Sequence, residues 1–394
     1  VLHVTPYTAD AWAYGGIARL GATLVRGLAA RGHEVTVCAT DACTASARLD
    51  AGVQHSRLRA WPPFATSAGV TIRIFPNLSN RLAYQQLFLP LGLSRFLARS
   101  ARTFDVAHLH ACRNMPGVVA AYHLRRAGVP YVIAPNGTAP RIERRHTAKR
   151  AFDVVFGHRV VGGAARLVAV SEAERRQFIA MGIDDAAIRL IPNPLDLDEF
   201  TPPIARGHFR QHVVGGPGPI VMFLGRLSPR KRLDVLVRGF ARLGRSDAWL
   251  VIVGNDAGAA DDARRTASAL GVADRTIFAG LLSGRARLEA LADADVVVYP
   301  SEDEIFGLVP LEALLSGTPV VVADDSGCAE VIGATGGGQI VPLGDPDALA
   351  LAIGHVLRSP HAWRMEAAEG AARARLAYGP DRVCAELDDL YREI

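Results

Sequence analysis

Glu304 and Glu312 are separated by seven residues in Glu304-Ile305-Phe306-Gly307-Leu308-Val309-Pro310-Leu311-Glu312. An apolar run, Val296-Val297-Val298-Tyr299, precedes them, and a helical stretch from Leu308 to Ser316 carries the second one. A strand that runs directly into a helix leaves the first helical amides without backbone partners and aims the positive end of the helix dipole beyond the strand. Phosphate binds at such ends, so the amides of Phe306, Gly307 and Leu308 are the expected donors to it. Carboxylates flanking a phosphate site accept hydrogen bonds from paired hydroxyls, as a ribose or a hexose presents them. Phosphate and sugar hydroxyls together describe a nucleotide sugar.

Two cations belong to the same chemistry. Phe223-Leu224-Gly225-Arg226-Leu227-x-x-x-Lys231-x-x-Asp234 follows one strand and opens a helix, which brings Arg226 and Lys231 within reach of one diphosphate. A leaving diphosphate needs both forked donors and a compact charge. Lys149 and Lys231 are the only lysines, so arginine fills nearly every other basic position and a lysine at 231 points to a specific role. In Asp105-Val106-Ala107-His108-Leu109-His110, period-two alternation puts His108 and His110 on one strand face, with His110 nearer the carboxyl end.

The elements that must position these groups form two series. Strands are expected at Leu2–Thr5, Glu34–Ala39, Val70–Phe75, Val106–His110, Tyr131–Ala134 and Leu167–Val170, with helices between them. A Pro/Gly-rich stretch from Pro192 to Pro219 follows, and then the alternation begins again, with strands at Ile220–Leu224, Trp249–Val253, Thr276–Phe278, Val296–Tyr299 and Pro319–Val322. The pattern is α/β: two facing Rossmann-like domains, each a doubly wound parallel sheet that binds ligands beyond the carboxyl ends of its strands. The first βα turn holds Gly15-Gly16 but no Gly-x-Gly-x-x-Gly, which argues against a dehydrogenase-type dinucleotide site.

Pro300-Ser301-x-x-Glu304-x-Phe306-Gly307-Leu308-Val309-x-Leu311-Glu312-Ala313 resembles the signature of family 4 of the retaining GT-B glycosyltransferases. The resemblance runs from Gly15-Gly16 to at least Ile332, and Val168-Ala169-Val170-Ser171-Glu172 and Ile191-Pro192-Asn193-Pro194 resemble its end-of-domain stretches. It implies a GT-B fold with an acceptor-side domain at 1–195, a linker at 196–218, a nucleotide-sugar domain at 219–365 and a C-terminal helix, 366–394, that crosses back to the first domain. It also implies roles. Gly16 would approach the donor diphosphate, Glu304 would hold hexose hydroxyls, Glu312 the ribose, and His110, with His108 in reserve, a hydroxyl of the transferred sugar. Arg226, Lys231 and the helix amides would stabilise the departing diphosphate. Retention would follow from attack by the acceptor hydroxyl on the leaving-group side. Asn136, in Ala134-Pro135-Asn136-Gly137, stands where similar enzymes often have histidine, and Glu330 follows in a Gly-rich loop.

Composition bounds the rest. With 394 residues the chain has room for two domains, and no run approaches the ~18 apolar residues of a membrane-crossing helix. The sequence opens on a strand with no leader pattern, so a cytoplasmic place is expected. Residues 1–200 carry 24 Lys+Arg against 14 Asp+Glu, and residues 201–394 carry 20 against 25, so the first half alone is basic. Arg141, Arg144, Arg145, Lys149 and Arg150 precede an apolar run, a pattern that can lie on an anionic membrane surface or simply face water. The expected partners are a nucleotide-sugar donor and a saccharide acceptor, lipid-linked or small and soluble. Nucleic acid is not expected, since aromatic residues are few in the basic segment. No cofactor and no metal is expected: the five cysteines are scattered and Asp324-Asp325 lacks a third ligand. A sugar-nucleotide epimerase of the same architecture is the rival enzyme reading.

Overall fold

The computed structural model describes residues 1–8, 11, 17–44, 47–49, 69–140, 146–325 and 327–394. The chain forms two compact units, Val1–Asp196 together with Pro380–Ile394, and Leu197–Gly379. Each holds one parallel sheet with helices on both faces, the Rossmann-like arrangement.

In the first unit the strands are β1 (Leu2–Val4), β2 (Val35–Thr40), β3 (Val70–Phe75), β4 (Ala107–His110), β5 (Tyr131–Ala134), β6 (Arg166–Ala169) and β7 (Ile188–Leu190), in the order β3-β2-β1-β4-β5-β6-β7. Helices Ile17–Ala30 and Pro380–Glu393 cover one face through Leu24, Leu28, Leu387 and Leu390, all buried. Helices Leu93–Ser100 and Met115–Ala127 cover the other through Leu93, Leu97 and Leu124. Each such leucine contributes about 1.5–3 kcal/mol on leaving water. Asn114 caps helix Met115–Ala127 through Gly117 N–H at 2.7 Å, and Gly128, at φ +72°, ends it.

In the second unit β8 (Ile220–Leu224), β9 (Trp249–Val253), β10 (Thr276–Gly280), β11 (Val296–Tyr299), β12 (Val320–Ala323) and β13 (Gly338–Val341) run in the order β10-β9-β8-β11-β12-β13. The strand order reverses between β1 and β4 in the first sheet and between β8 and β11 in the second, and such switch points are where open parallel sheets bind ligands.

The sequence gives no sign of β7 or β13. β7 has only three residues, and β13 begins at the end of Gly336-Gly337-Gly338, a run that reads as a turn. The stretch expected as a linker, 196–218, packs into the second unit from Leu197 on. The Asp293 carboxylate accepts the amides of Gly207 and Arg210, and Glu199 pairs with Arg287 at 2.6 Å. The C-terminal part likewise divides at Gly379: helix Pro360–Tyr378 stays in the second unit and helix Pro380–Glu393 packs in the first. No described helix is long and apolar enough to cross a membrane.

Candidate functional site

The second unit gathers its chemistry at the ends of β8 and β11. Gly225, at φ +157°, and Gly254, at φ +147°, let the chains leaving β8 and β9 touch; a Cβ on Gly254 would fall 1.7 Å from the Gly225 carbonyl. Gly225 and Leu227 then donate to Val253 and Asn255, both at 2.9 Å. A single turn, Pro229–Lys231, follows, and Arg232, at φ +49°, turns the chain into helix Leu233–Arg242. Glu302 N–H donates to the Arg230 carbonyl at 2.8 Å, and the Arg230 guanidinium donates to the carbonyls of Glu302 and Asp303, so the two strand-end loops are tied together.

This places Lys231 against the end of β11. Its Nζ donates to the Tyr299 hydroxyl at 2.7 Å, lies 4.7 Å from the centre of the Tyr299 ring and forms an ion pair with Glu304. Phe223 stacks beneath Tyr299 with ring centres 5.6 Å apart. Burial works against the lysine's charge, but Glu304 and Tyr299 outweigh it and hold the ammonium above its ordinary value, so Lys231 stays charged. Burial, reinforced by the Glu304 charge, raises Tyr299, which keeps its proton. Arg226 projects from the loop after β8 and is exposed.

The turn Glu304–Gly307 leads into helix Leu308–Leu315, with Gly307 at the N-cap and no side chain closing the end. Ile305 and Phe306 are buried, and Phe306 meets Tyr378 edge-on at 5.4 Å. Gly327 N–H donates to the Glu304 carbonyl at 2.7 Å, and a Cβ on Gly327 would stand 1.9 Å from the Ile305 carbonyl. Of the three amides expected to meet phosphate, that of Leu308 turns back to the Phe306 carbonyl at 3.1 Å. The turn is thus held by backbone on both sides.

Glu312 sits on the inner face of its helix, 5% exposed, in an ion pair with the buried Arg287 of helix Gly284–Asp293. The two glutamates therefore head two separate pairs, Glu304 with Lys231 and Glu312 with Arg287. Tyr299 and Arg287 escaped the sequence reading. Tyr299 had a signal, as the last residue of an apolar strand immediately before the Pro-Ser turn. So did Arg287, one helical turn before Leu291 on the apolar side of its helix.

In the first unit His110 ends β4, and the β1–β4 register sets His3 directly beside His108. The three rings pack together, with His108 and His110 centres 4.5 Å apart, and His3 Nδ1 lies 2.9 Å from His110 Nε2. His108 Nδ1 meets the Tyr391 hydroxyl at 2.6 Å. All three are buried and neutral: burial, reinforced by neighbouring imidazoles, holds His3 and His108 well below the ordinary range, and burial alone brings His110 to about 4. Beyond β4 and β5, three residues other than glycine, Ala111, Arg113 and Asn136, take left-handed backbone at φ +62°, +54° and +50°. Arg113 holds this geometry by pairing with Asp153 at 2.8 Å and donating to the carbonyls of Thr138 and Ala139. Glu174, fully buried and raised by burial to about 7, accepts the amides of Gly137 at 2.7 Å and Val170 at 3.0 Å.

Gly16, Arg141, Arg144 and Arg145 lie outside the described residues. Lys149 is half-buried and Arg150 exposed, both on helix His146–Phe152. Among the described residues no group of three or more His, Cys, Asp or Glu could hold a metal ion. The five cysteines are free thiols, and burial pushes Cys38, Cys112 and Cys384 up to about 12, out of the reactive range.

Residues 14–199 match the family model described as Glycosyltransferase Family 4, and residues 206–374 the model described as Glycosyl transferases group 1. The D-inositol 3-phosphate glycosyltransferase of Acidothermus cellulolyticus is 31% identical over 96% of this chain and 86% of its own length. The GDP-mannose-dependent alpha-mannosyltransferase of Mycobacterium tuberculosis is 32% identical over 92% of this chain and 89% of its own. Among solved structures, Anabaena Alr3699/HepE in complex with UDP and glucose superposes with a TM-score of 0.74 at 18% identity, covering 100% of this chain and 99% of that one. With both halves matched by glycosyltransferase models and relatives alike nearly end to end, the chain belongs to glycosyltransferase family 4, with the GT-B fold.

Proposed function

We propose that this enzyme moves a hexose from a UDP- or GDP-linked donor to an acceptor hydroxyl with retention of anomeric configuration and without a metal. The observation that carries the proposal is the Lys231 ammonium, fixed between Tyr299 and Glu304 beside the uncapped N-terminus of helix Leu308–Leu315. A cation held in place next to helix amides stabilises charge as it develops on a departing diphosphate, and it does so without reorganising. Arg226, exposed after β8, adds forked donors to the same group. In the reaction the bond from the anomeric carbon to the diphosphate oxygen breaks, and a bond to the acceptor oxygen forms on the same face. The acceptor's proton passes to the departing phosphate oxygen. Glu304 holds hexose hydroxyls, Glu312 faces the ribose, and the neutral His110 donates to or accepts from a hydroxyl of the transferred sugar.

The basic first half of the chain supports an anionic acceptor, and the first reading is a lipid-linked saccharide used at an anionic membrane surface on the cytoplasmic side. The names of several relatives, D-inositol 3-phosphate glycosyltransferases, favour a second reading: a small soluble polyol phosphate.

The test is a panel of UDP- and GDP-hexoses in the presence of a chelator, read by thermal shift, by release of nucleoside diphosphate and by NMR of the product anomer. One donor should raise Tm and release diphosphate slowly without acceptor. Failure of every nucleotide sugar to bind at millimolar concentration would overturn the proposal, an inverted product would remove retention, and activity lost to the chelator would remove metal independence.

A further inference from the structure

Residues 76–91 of the first unit form a closed lobe at the end of β3. Asn77 pairs with Pro90 in antiparallel fashion, Leu78 N–H donates to Leu89 at 3.0 Å, and Leu91 N–H donates to Pro76 at 2.8 Å. At the base the Asp41 carboxylate accepts both the backbone amide and the side-chain amide of Asn77, at 2.8 and 3.1 Å. The lobe has its own small core: Ala83 and Phe88 are buried with Tyr7 and Ala42, and Tyr7 meets Phe88 edge-on at 5.8 Å. Among the described residues this small core closes without the lobe's other apolar side chains. Yet Leu78, Leu82, Tyr84, Leu87 and Leu91 all point outward, between 38% and 61% exposed, within fourteen residues of sequence. Exposed apolar groups at this density mark a contact surface.

Charge decides what fits it. From Gly69 to Phe104 the sequence has five arginines and no aspartate or glutamate. Arg81 stands within the lobe, and Arg95, Arg99 and Arg102 follow it, all exposed. A second copy of this chain would bring arginine against arginine. Anionic lipid headgroups satisfy both features, since leucines and a tyrosine enter the headgroup boundary while arginines meet phosphate.

We propose that the 76–91 lobe, with Arg95, Arg99 and Arg102 beside it, is the surface by which this enzyme docks on an anionic bilayer. The proposal rests on the reading of a lipid-linked acceptor and assigns the membrane contact to residues other than the Arg141–Arg150 segment.

The test is co-sedimentation of the full chain with phosphatidylcholine vesicles with and without phosphatidylglycerol, at low and high salt. The wild type should bind the anionic vesicles, bind neutral ones weakly, and lose affinity as salt rises. Leu82→Ser/Leu87→Ser should abolish binding, and Arg81→Gln and Arg95→Gln should each weaken it by about fivefold. Leu351→Ser, at a position 71% exposed in the second unit, should change nothing. Unaltered binding by the lobe variants overturns the proposal. So does equal, salt-insensitive binding to neutral vesicles, or a dimer in light scattering that the leucine variants dissolve. Diphosphate release from the donor in free solution, measured on Leu82→Ser/Leu87→Ser, reports the glycosyltransferase site and fold separately: wild-type release with lost vesicle binding supports the lobe, whatever the acceptor proves to be.

Discussion

The Lys231 ammonium donates a hydrogen bond to the Tyr299 hydroxyl at 2.7 Å and lies 4.7 Å from the centre of the same ring, so the tyrosine both accepts from the lysine and faces its charge. With Glu304 as the second partner, the lysine is fixed before any donor arrives. The proposed stabilisation of a departing diphosphate would depend on that fixity. Lys231→Ala removes the charge itself and should lower kcat by roughly 100-fold or more. Tyr299→Phe keeps the ring and the Phe223 stack but deletes the acceptor, and should lower kcat by about 10-fold, the value of one hydrogen bond to a charged group. Steady-state kinetics on both variants checks the order. Equal losses would mean that the tyrosine does more than hold the lysine, and wild-type turnover in Lys231→Ala would exclude the lysine from the mechanism.

Glu312 and Glu199 share one buried guanidinium, that of Arg287. Glu312→Gln preserves shape and leaves Arg287 its pair with Glu199, so unfolding should cost less by only about 1–3 kcal/mol. Arg287→Met takes the cation away from both carboxylates and should destabilise by about 3–5 kcal/mol. Urea unfolding gives both numbers. Donor affinity separates structure from recognition: if Glu312 faces the ribose, Glu312→Gln raises the donor KM although the fold survives, and an unchanged KM confines Glu312 to the ion pair.

The three packed histidines and Glu174 give the first unit a defined response to acid. Burial keeps His3, His108 and His110 from protonating in the folded state, His110 until about 4, whereas the unfolded chain takes up protons near 6.5. Their contribution to stability is present above 6.5 and is lost as pH falls toward 4, at about 1.4 kcal/mol per pH unit for each ring. Glu174 acts in the opposite sense, since its folded form holds a proton up to about 7 against 4.5 when unfolded, so its contribution is lost as pH rises through that window. Three rings outweigh one carboxyl, so the net effect is a loss of stability toward acid. Hydrogen-exchange protection of the amides of Leu2–Val4 and Ala107–His110, corrected for the pH dependence of the intrinsic exchange rate, follows this unit alone and should fall below pH 6.5. Glu174→Gln should steepen the dependence and His108→Gln should flatten it. Protection that is flat across the window would contradict the assignment of neutral rings.

Much of this was legible in the sequence, because strand runs and strand-end motifs are local. Glu304, Phe306, Gly307, Arg226 and Lys231 each declare themselves within a few residues of an apolar run that ends abruptly. What stayed hidden depends on register and packing. His3 is an unremarked residue of a three-residue strand until the pairing of β1 with β4 sets it beside His108. Arg287 and Glu312 lie on different helices, and only the packing of those helices joins them. Glu174 looks like a solvent-facing helix residue, yet Ser171 caps its amide and its carboxylate closes over Val170 and Gly137. β13 was lost to its glycines, Gly336 and Gly337, which take positive φ before the strand begins.

Gly327 provides the sharpest steric test of the role proposed for the Glu304–Gly307 turn. It opens helix Gly327–Thr335 and touches the Glu304–Gly307 turn so closely that an added Cβ would lie 1.9 Å from the Ile305 carbonyl and 3.0 Å from Phe306 N. Both obstacles are backbone, so neither can rotate away, and the turn or the helix must shift. Gly327→Ala should destabilise by about 1–3 kcal/mol, as overpacking does. Because the shift falls on the residues that carry Glu304 and the helix amides, donor affinity should fall by about 10-fold or more, the scale of losing well-placed polar contacts. Gly333→Ala, in the same helix, is the control. Its Cβ would meet only the Ile340 side chain at 4.0 Å, and alanine suits a helix interior, so stability should hold or rise by up to about 1 kcal/mol with donor binding intact. Calorimetric titration of the donor against both variants separates the outcomes. If Gly327→Ala binds donor as tightly as Gly333→Ala, the turn at Glu304 does not position the nucleotide sugar.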